Sequence, residues 1–175
     1  MTTTANTGDE LIIRISQLSN GLHEYHFSSD PSIVGLHGNF KARVVVDAVL
    51  DKTPHEIFLR AAARTSGSFT CDRCTENFEQ AVSNEFTVYY VYRELEDGRY
   101  PPEEVQVISP DTTYIDLAED VRQMVLLSIP LKLLCKTDCK GLCPHCGSDL
   151  NAGPCSCTKQ EIDPRWEGLA KILKN

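Results

Sequence analysis

A chain of 175 residues with a formal charge of −8 and eight cysteines is long enough to bury a real core, so it needs no disulfide staples to fold. Its longest apolar run, Val125 to Ile129, is broken by Ser128 and stopped by Pro130, far short of the roughly 18 apolar residues of a membrane span. Met1 to Glu10 is polar and acidic without the apolar stretch of a secretory signal. These features point to a reducing, cytoplasmic setting, where clustered cysteines are more often metal ligands than bridges.

After a disordered-looking segment 1–10, Leu11–Ser16 and Leu22–Phe27 read as strands. From Asn39 to Thr53, Phe40, Ala42, Val44, Val46, Ala48 and Leu50 share one face, while Lys41, Arg43, Asp47 and Asp51 lie on the other. Glu56–Thr70 alternates more loosely, and Ala61-Ala62-Ala63 leaves a helical alternative open. Phe78–Arg93 is strand-like again, with Phe86, Val88, Tyr90 and Tyr92 on one face. Long strands joined without intervening helices predict an antiparallel sheet. Residues 94–111 form an acidic, proline-containing loop carrying a short strand at Val105–Ile108. Asp116 is a candidate N-cap with Glu119 three residues on, the capping-box spacing. The helix it opens shows Leu117, Val121, Met124, Val125 and Ser128 on one face, widened by Leu126 and Ile129, and ends at Pro130. A short terminal helix is predicted from Asp163-Pro164, with Trp166, Leu169, Ala170 and Leu173 on one side. The expected organisation is an α+β body over 11–130, an antiparallel sheet packed against one main helix. A small cysteine-rich, zinc-binding module follows over 131–175.

Charge is divided along the same boundary. Residues 131–175 hold seven Lys/Arg against five Asp/Glu, whereas residues 1–130 hold ten against twenty. An acidic body argues against bulk electrostatic binding of nucleic acid.

Six cysteines fall between positions 135 and 157. Cys143-Pro144-His145-Cys146-Gly147 has the form of a zinc knuckle: two sulfurs three positions apart on a tight turn, with a glycine free to take positive φ behind them. Cys155 and Cys157 are its natural completion, and Cys135 and Cys139 the competing one. Cys71-Asp72-Arg73-Cys74 supplies half of a second site with Cys135 and Cys139, or else a turn with free thiols. A thioredoxin-like pair fits least, because no βα pattern surrounds it. The contexts of the two Cys-x-x-Cys pairs differ too much to suggest a duplicated unit. Iron–sulfur is the rival to zinc; the knuckle favours zinc. The histidines are poor ligand candidates: His23 and His26 face opposite sides of a strand, and His145 points away from the knuckle. No phosphate-cradling loop, nucleophile elbow or open metal site with a general base is evident, so no enzyme and no small-molecule substrate is expected.

Cys135…Cys139-Lys-Gly-Leu-Cys143-Pro-His-Cys146-Gly-Ser-Asp-Leu-Asn151…Cys155-Ser-Cys157, followed by Asp163-Pro-Arg165, resembles the C-terminal signature of the YceD family, the large ribosomal RNA subunit accumulation proteins. Cys71-Asp-Arg-Cys74 before a long strand, and Ile115-Asp-Leu117 opening a helix that ends at Ile129-Pro130, match in the same order. The resemblance implies a non-enzymatic role in synthesis, processing or stability of 23S ribosomal RNA. Direct RNA contact, if made, is expected from Lys132, Lys136, Lys140 and Lys159 beside the knuckle. The alternative is an adaptor whose acidic body engages a basic protein, such as a ribosomal protein, with zinc purely structural.

Overall fold

Nine-residue apolar alternation at Val44–Lys52 and fifteen-residue runs on either side of Cys71–Cys74 dictate the architecture, because period-2 patterning buries only one face of each strand. The structure, a computed structural model, describes residues 3–5, 9–93 and 99–157. Its strands are β1 (Thr3–Ala5), β2 (Ile12–Arg14), β3 (Gly21–Ser29), β4 (Val44–Lys52), β5 (Glu56–Thr70), β6 (Asn77–Val91), β7 (Val105–Val107) and β8 (Tyr114–Asp116). One α-helix, α1 (Ala118–Leu127), and a 3-10 turn at Pro102–Glu104 complete the described elements.

The main sheet has the order β1-β3-β4-β5-β6-β7, and β2 pairs with β8 in a separate two-stranded sheet. The four central strands are antiparallel as the sequence predicts. The outer pairs, β1 with β3 and β6 with β7, are parallel, so the sheet is mixed rather than antiparallel throughout. Neither outer pair is joined by a tight turn. The chain makes β2 between β1 and β3, and runs through 92–104 between β6 and β7, and such long connections permit a parallel return.

Leu11, Ile13, Phe27, Val44, Val46, Ala48, Leu50, Ile57, Leu59, Ala61, Ala63, Val88 and Tyr90 form the core, closed by Ile115, Leu117, Val121 and Val125 from β8 and α1. Ala61 and Ala63 are buried while Ala62 between them is half-buried. That alternation is strand spacing, and it settles the helical alternative against the alanine run. Val105–Val107 is a strand as expected. Thr3–Ala5, within the segment expected to be disordered, pairs with Glu24–His26 along the open edge of β3.

The capping box does not form. Asp116 belongs to β8 and Leu117 occupies the N-cap without a side-chain bond. The Asp116 carboxylate accepts from the Ala118 N–H at 2.9 Å, while Glu119 turns forward to Arg122 and Gln123. Asp116, extended in β8, thus still satisfies an N–H of the first turn, and only the reciprocal Glu119 half of the box is missing. At the other end, Ser128 Oγ donates to the Met124 carbonyl at 2.6 Å, closing the helix before Pro130. Leu126 stays 40 % exposed and Leu127 76 %, so the apolar face is narrower than its sequence suggests. The predicted helix from Asp163 and the loop residues 94–98 lie outside the described residues.

Candidate metal centres

The long β5–β6 hairpin ends in the turn that carries the first two thiols. Cys71 N–H donates to the Glu76 carbonyl at 2.8 Å, and Thr75 N–H to the Cys71 carbonyl at 2.9 Å, with Thr75 at φ 60°. The turn at Cys143 repeats this pattern. Cys143 N–H donates to Ser148 O at 2.8 Å and Gly147 N–H to Cys143 O at 2.9 Å, with Gly147 at φ 72°. Two knuckles with the same turn hydrogen bonds therefore exist, in otherwise different contexts. Thr75 conceals the likeness in the sequence, because it holds a left-handed position that glycine normally takes.

Each knuckle meets a second cysteine pair. Cys71 and Cys74 converge with Cys135 and Cys139, and Cys143 and Cys146 with Cys155 and Cys157; within each group all sulfurs lie within 4.8 Å of one another. Sγ–Sγ distances are 3.8 Å for Cys71–Cys139, 3.6 Å for Cys74–Cys135 and 3.4 Å for Cys155–Cys143. A disulfide needs about 2.05 Å, so these are eight free thiols. Four sulfurs about 2.3 Å from one tetrahedral ion stand about 3.8 Å apart, close to the 3.4 to 3.8 Å of these pairs. Both clusters could hold a metal ion.

Crowding splits the thiols within each cluster. Burial raises the Cys71 thiol, but the backbone N–H groups of Cys135, Cys74 and Arg73 outweigh it and bring it down to about 6. Burial and the neighbouring sulfurs push Cys135 up to about 12. In the second cluster the Ser148 hydroxyl and N–H bring Cys146 down to about 6, while Cys146 and the other sulfurs drive Cys157 up to about 12. Each cluster readily ionises some thiols and opposes ionisation of the rest, as four like groups crowded together must.

The two centres differ in burial. In the first, Cys71, Cys74 and Cys139 are buried and Cys135 half-buried; in the second, Cys143 is buried, Cys155 half-buried, and Cys146 and Cys157 are exposed. They are tied to one another. Arg73 donates to the Cys139 carbonyl at 2.6 Å, and Asn151 Nδ2 reaches Cys139 Sγ at 3.5 Å while Asn151 Oδ1 accepts from Lys140 N–H. Asp72 exchanges two bonds with Leu133: its N–H donates to the Leu133 carbonyl and its carboxylate accepts the Leu133 N–H at 2.7 Å. Asp72, Arg73 and Asn151 are partners that the sequence reading did not single out. The roles of Asp72 and Arg73 depend on partners 61 and 66 residues away, so spacing carries no signal for them, whereas Asn151 acts on Cys139 and Lys140 within 12 residues.

His145 is exposed and belongs to neither group, and Lys132, Lys136 and Lys140 are exposed near the cysteines. Lys159 lies outside the described residues. Among the described residues no helix is long and apolar enough to cross a membrane.

Residues 59–173 match the family profile described as large ribosomal RNA subunit accumulation protein YceD. The chain belongs to the YceD family. An uncharacterized protein of Mycobacterium tuberculosis is 34 % identical over 113 residues, 64 % of this chain and 52 % of the relative. The chloroplastic large ribosomal RNA subunit accumulation protein YCED homolog 1 of Arabidopsis thaliana is 23 % identical over 155 residues, 74 % of this chain and 48 % of the relative. An uncharacterized protein of Bacillus subtilis is 29 % identical over 93 residues, 53 % and 50 % of the two chains. The chain thus spans about half the length of these relatives. No solved structure matches it.

Proposed function

We propose that this YceD-family protein is a non-enzymatic factor in the accumulation of large-subunit ribosomal RNA. In this reading each four-cysteine cluster holds one zinc ion, and the C-terminal module sits beside the RNA. The observation that carries the zinc assignment is the mutual 4.8 Å limit on the sulfurs of each group. It suits a single ion, whereas a multi-iron cluster must fit inorganic sulfide between its thiolates. Two all-thiolate sites leave no open coordination position, which supports structure rather than hydrolysis. Zinc supplies folding free energy to short segments, with apparent values of about 10–16 kcal/mol in zinc-finger peptides. The segment 134–157 has few apolar side chains of its own and fits that role.

The role in ribosomal RNA comes from the family and from the name of the Arabidopsis relative. Exposed Lys132, Lys136 and Lys140 favour RNA contact at the cysteine-rich end. Titrating the protein with 23S ribosomal RNA fragments over a salt series tests this. Affinity is expected to fall with salt, and the K132E/K136E/K140E variant to bind more weakly with a shallower slope, on the order of one released ion per lysine removed. Salt-independent or absent binding by the wild-type protein would defeat direct RNA contact.

A further inference from the structure

Among the described residues, strand β6 has an open side. Its pairing with β5 runs without interruption from Glu56↔Val91 to Thr70↔Asn77. On its other side β7 reaches only Tyr89 to Val91. Ile108 N–H donates to the Val91 carbonyl on that side at 2.9 Å. In an unbulged strand every second residue turns its N–H and C=O the same way, so Glu85, Ser83, Ala81 and Glu79 point outward too. Gln80 Nε2 donates to the Ala81 carbonyl at 3.0 Å, a side chain bonded to this outward row. Among the described residues no backbone group pairs with the row from Glu79 to Glu85.

Proteins usually protect such an edge with lysine, proline or a bulge. Asn77 to Val91 contains neither lysine, arginine nor proline, and its register shows no bulge. Beside the upper part of this edge lies a cavity of about 640 Å³, lined by Glu85, Glu103, Glu104, Asp120, Gln106 and Gln123 among others. Four of these are carboxylates. The one arginine there, Arg60, pairs with Glu85 at 2.9 Å. Next to Asp120 sits the Tyr90 hydroxyl, on a residue 2 % exposed.

We infer that the open β6 edge and the acidic groove beside it take an extended Lys/Arg-rich polypeptide segment as an added strand. The Glu79–Glu85 backbone supplies main-chain hydrogen bonds. Glu103, Glu104 and Asp120 receive alternate basic side chains of the incoming strand, and Gln80 releases the Ala81 carbonyl to it. Main-chain pairing gives affinity and the carboxylates give selectivity, the usual division of labour in strand addition. A second copy of this chain is a poor occupant, because two acidic edges repel. RNA is repelled for the same reason. The inference goes beyond the ribosomal RNA reading and does not depend on zinc.

The test uses the full chain with a fluorescent peptide of about twelve residues alternating lysine and valine, beside an alternating glutamate–valine peptide and polyuridine. Binding of the lysine peptide alone is expected. It should weaken as salt rises and bring new hydrogen-exchange protection to the Ser83 and Glu85 amides. Ser83→Pro removes an outward N–H not used within the sheet, which an edge strand tolerates. It should weaken binding at least tenfold. E103Q/E104Q should weaken it several-fold and flatten the salt dependence, the amide keeping an oxygen for the Thr87 hydroxyl of β6 that Glu104 accepts at 2.8 Å. The proposal is overturned if the lysine peptide does not bind, if both variants bind it like wild type, or if polyuridine competes for the same amides.

Discussion

Leu142 donates its backbone N–H to the Arg73 carbonyl at 3.0 Å, so the loop leading into the second cysteine cluster is hydrogen-bonded to the knuckle of the first. The residue before it, Gly141, has φ +74°, and a Cβ there would stand 2.8 Å from that same carbonyl. Both centres are thus fixed to the tip of the β5–β6 hairpin.

Gly141→Ala is expected to destabilise this junction by about 2 kcal/mol or more, combining left-handed strain with a backbone clash. Chemical denaturation of the metal-loaded protein measures the loss, and chelator competition should show faster metal release. A variant as stable as wild type would mean the two segments are not held together this way.

Asp72→Ala should cost about 1–2 kcal/mol, because it leaves the half-buried Leu133 N–H without its acceptor. Asp72→Asn keeps an acceptor oxygen and should recover most of the loss. Equal destabilisation by both variants, read by denaturant midpoint, would point to charge rather than to the hydrogen bond.

Much of this was legible in the sequence. The alternation of Val44, Val46, Ala48 and Leu50, and of Phe86, Val88 and Tyr90, marks the buried sheet face directly, since a strand has a fixed period. The parallel outer strands were not legible, because three-residue pairings such as Tyr89–Val91 with Val105–Val107 are decided by where long connections return. The Asp116 carboxylate does bond the helix start, at the Ala118 N–H; the return bond that the capping-box spacing predicts is absent because Arg122 and Gln123 take Glu119. For the cysteines, the spacing of Cys143 and Cys146 identified a knuckle. Thr75 in the place of a glycine concealed that Cys71–Cys74 is another; its grouping with Cys135 and Cys139 was one of the alternatives the sequence left open, and the fold brings those four together.

Asp120 supplies a pH dependence. Burial holds its carboxyl above the ordinary value of 3.8, with Glu119 adding to the rise against the Gln106 bond. A raised native value means the folded state binds the proton more tightly than the unfolded one. Its ionisation therefore costs stability at neutral pH, and the cost disappears as pH falls through the interval just above 3.8. Asp120→Asn should be more stable than wild type at pH 7, with the difference shrinking towards pH 3.8 in urea titrations. A difference that stays constant with pH would contradict this. Keeping an unfavourable carboxylate in the groove is also what a site for basic side chains requires.

Metal removal should act unequally on the two halves of the chain. The body has a continuous core of its own, whereas 134–157 does not. Chelation with dialysis should leave the sheet signal in far-ultraviolet circular dichroism largely intact, while amide protection over 134–157 collapses. Global unfolding on chelation would show that the hairpin tip supports the whole sheet.

The central claim is that eight cysteines form two closed four-thiolate centres. Native mass spectrometry with elemental analysis of the reduced protein tests it most directly. The account predicts two zinc ions per chain, and one in either the C71S/C74S or the C143S/C146S variant. A wild-type chain with fewer than two metals, or one whose cysteines are joined as disulfides, would contradict it.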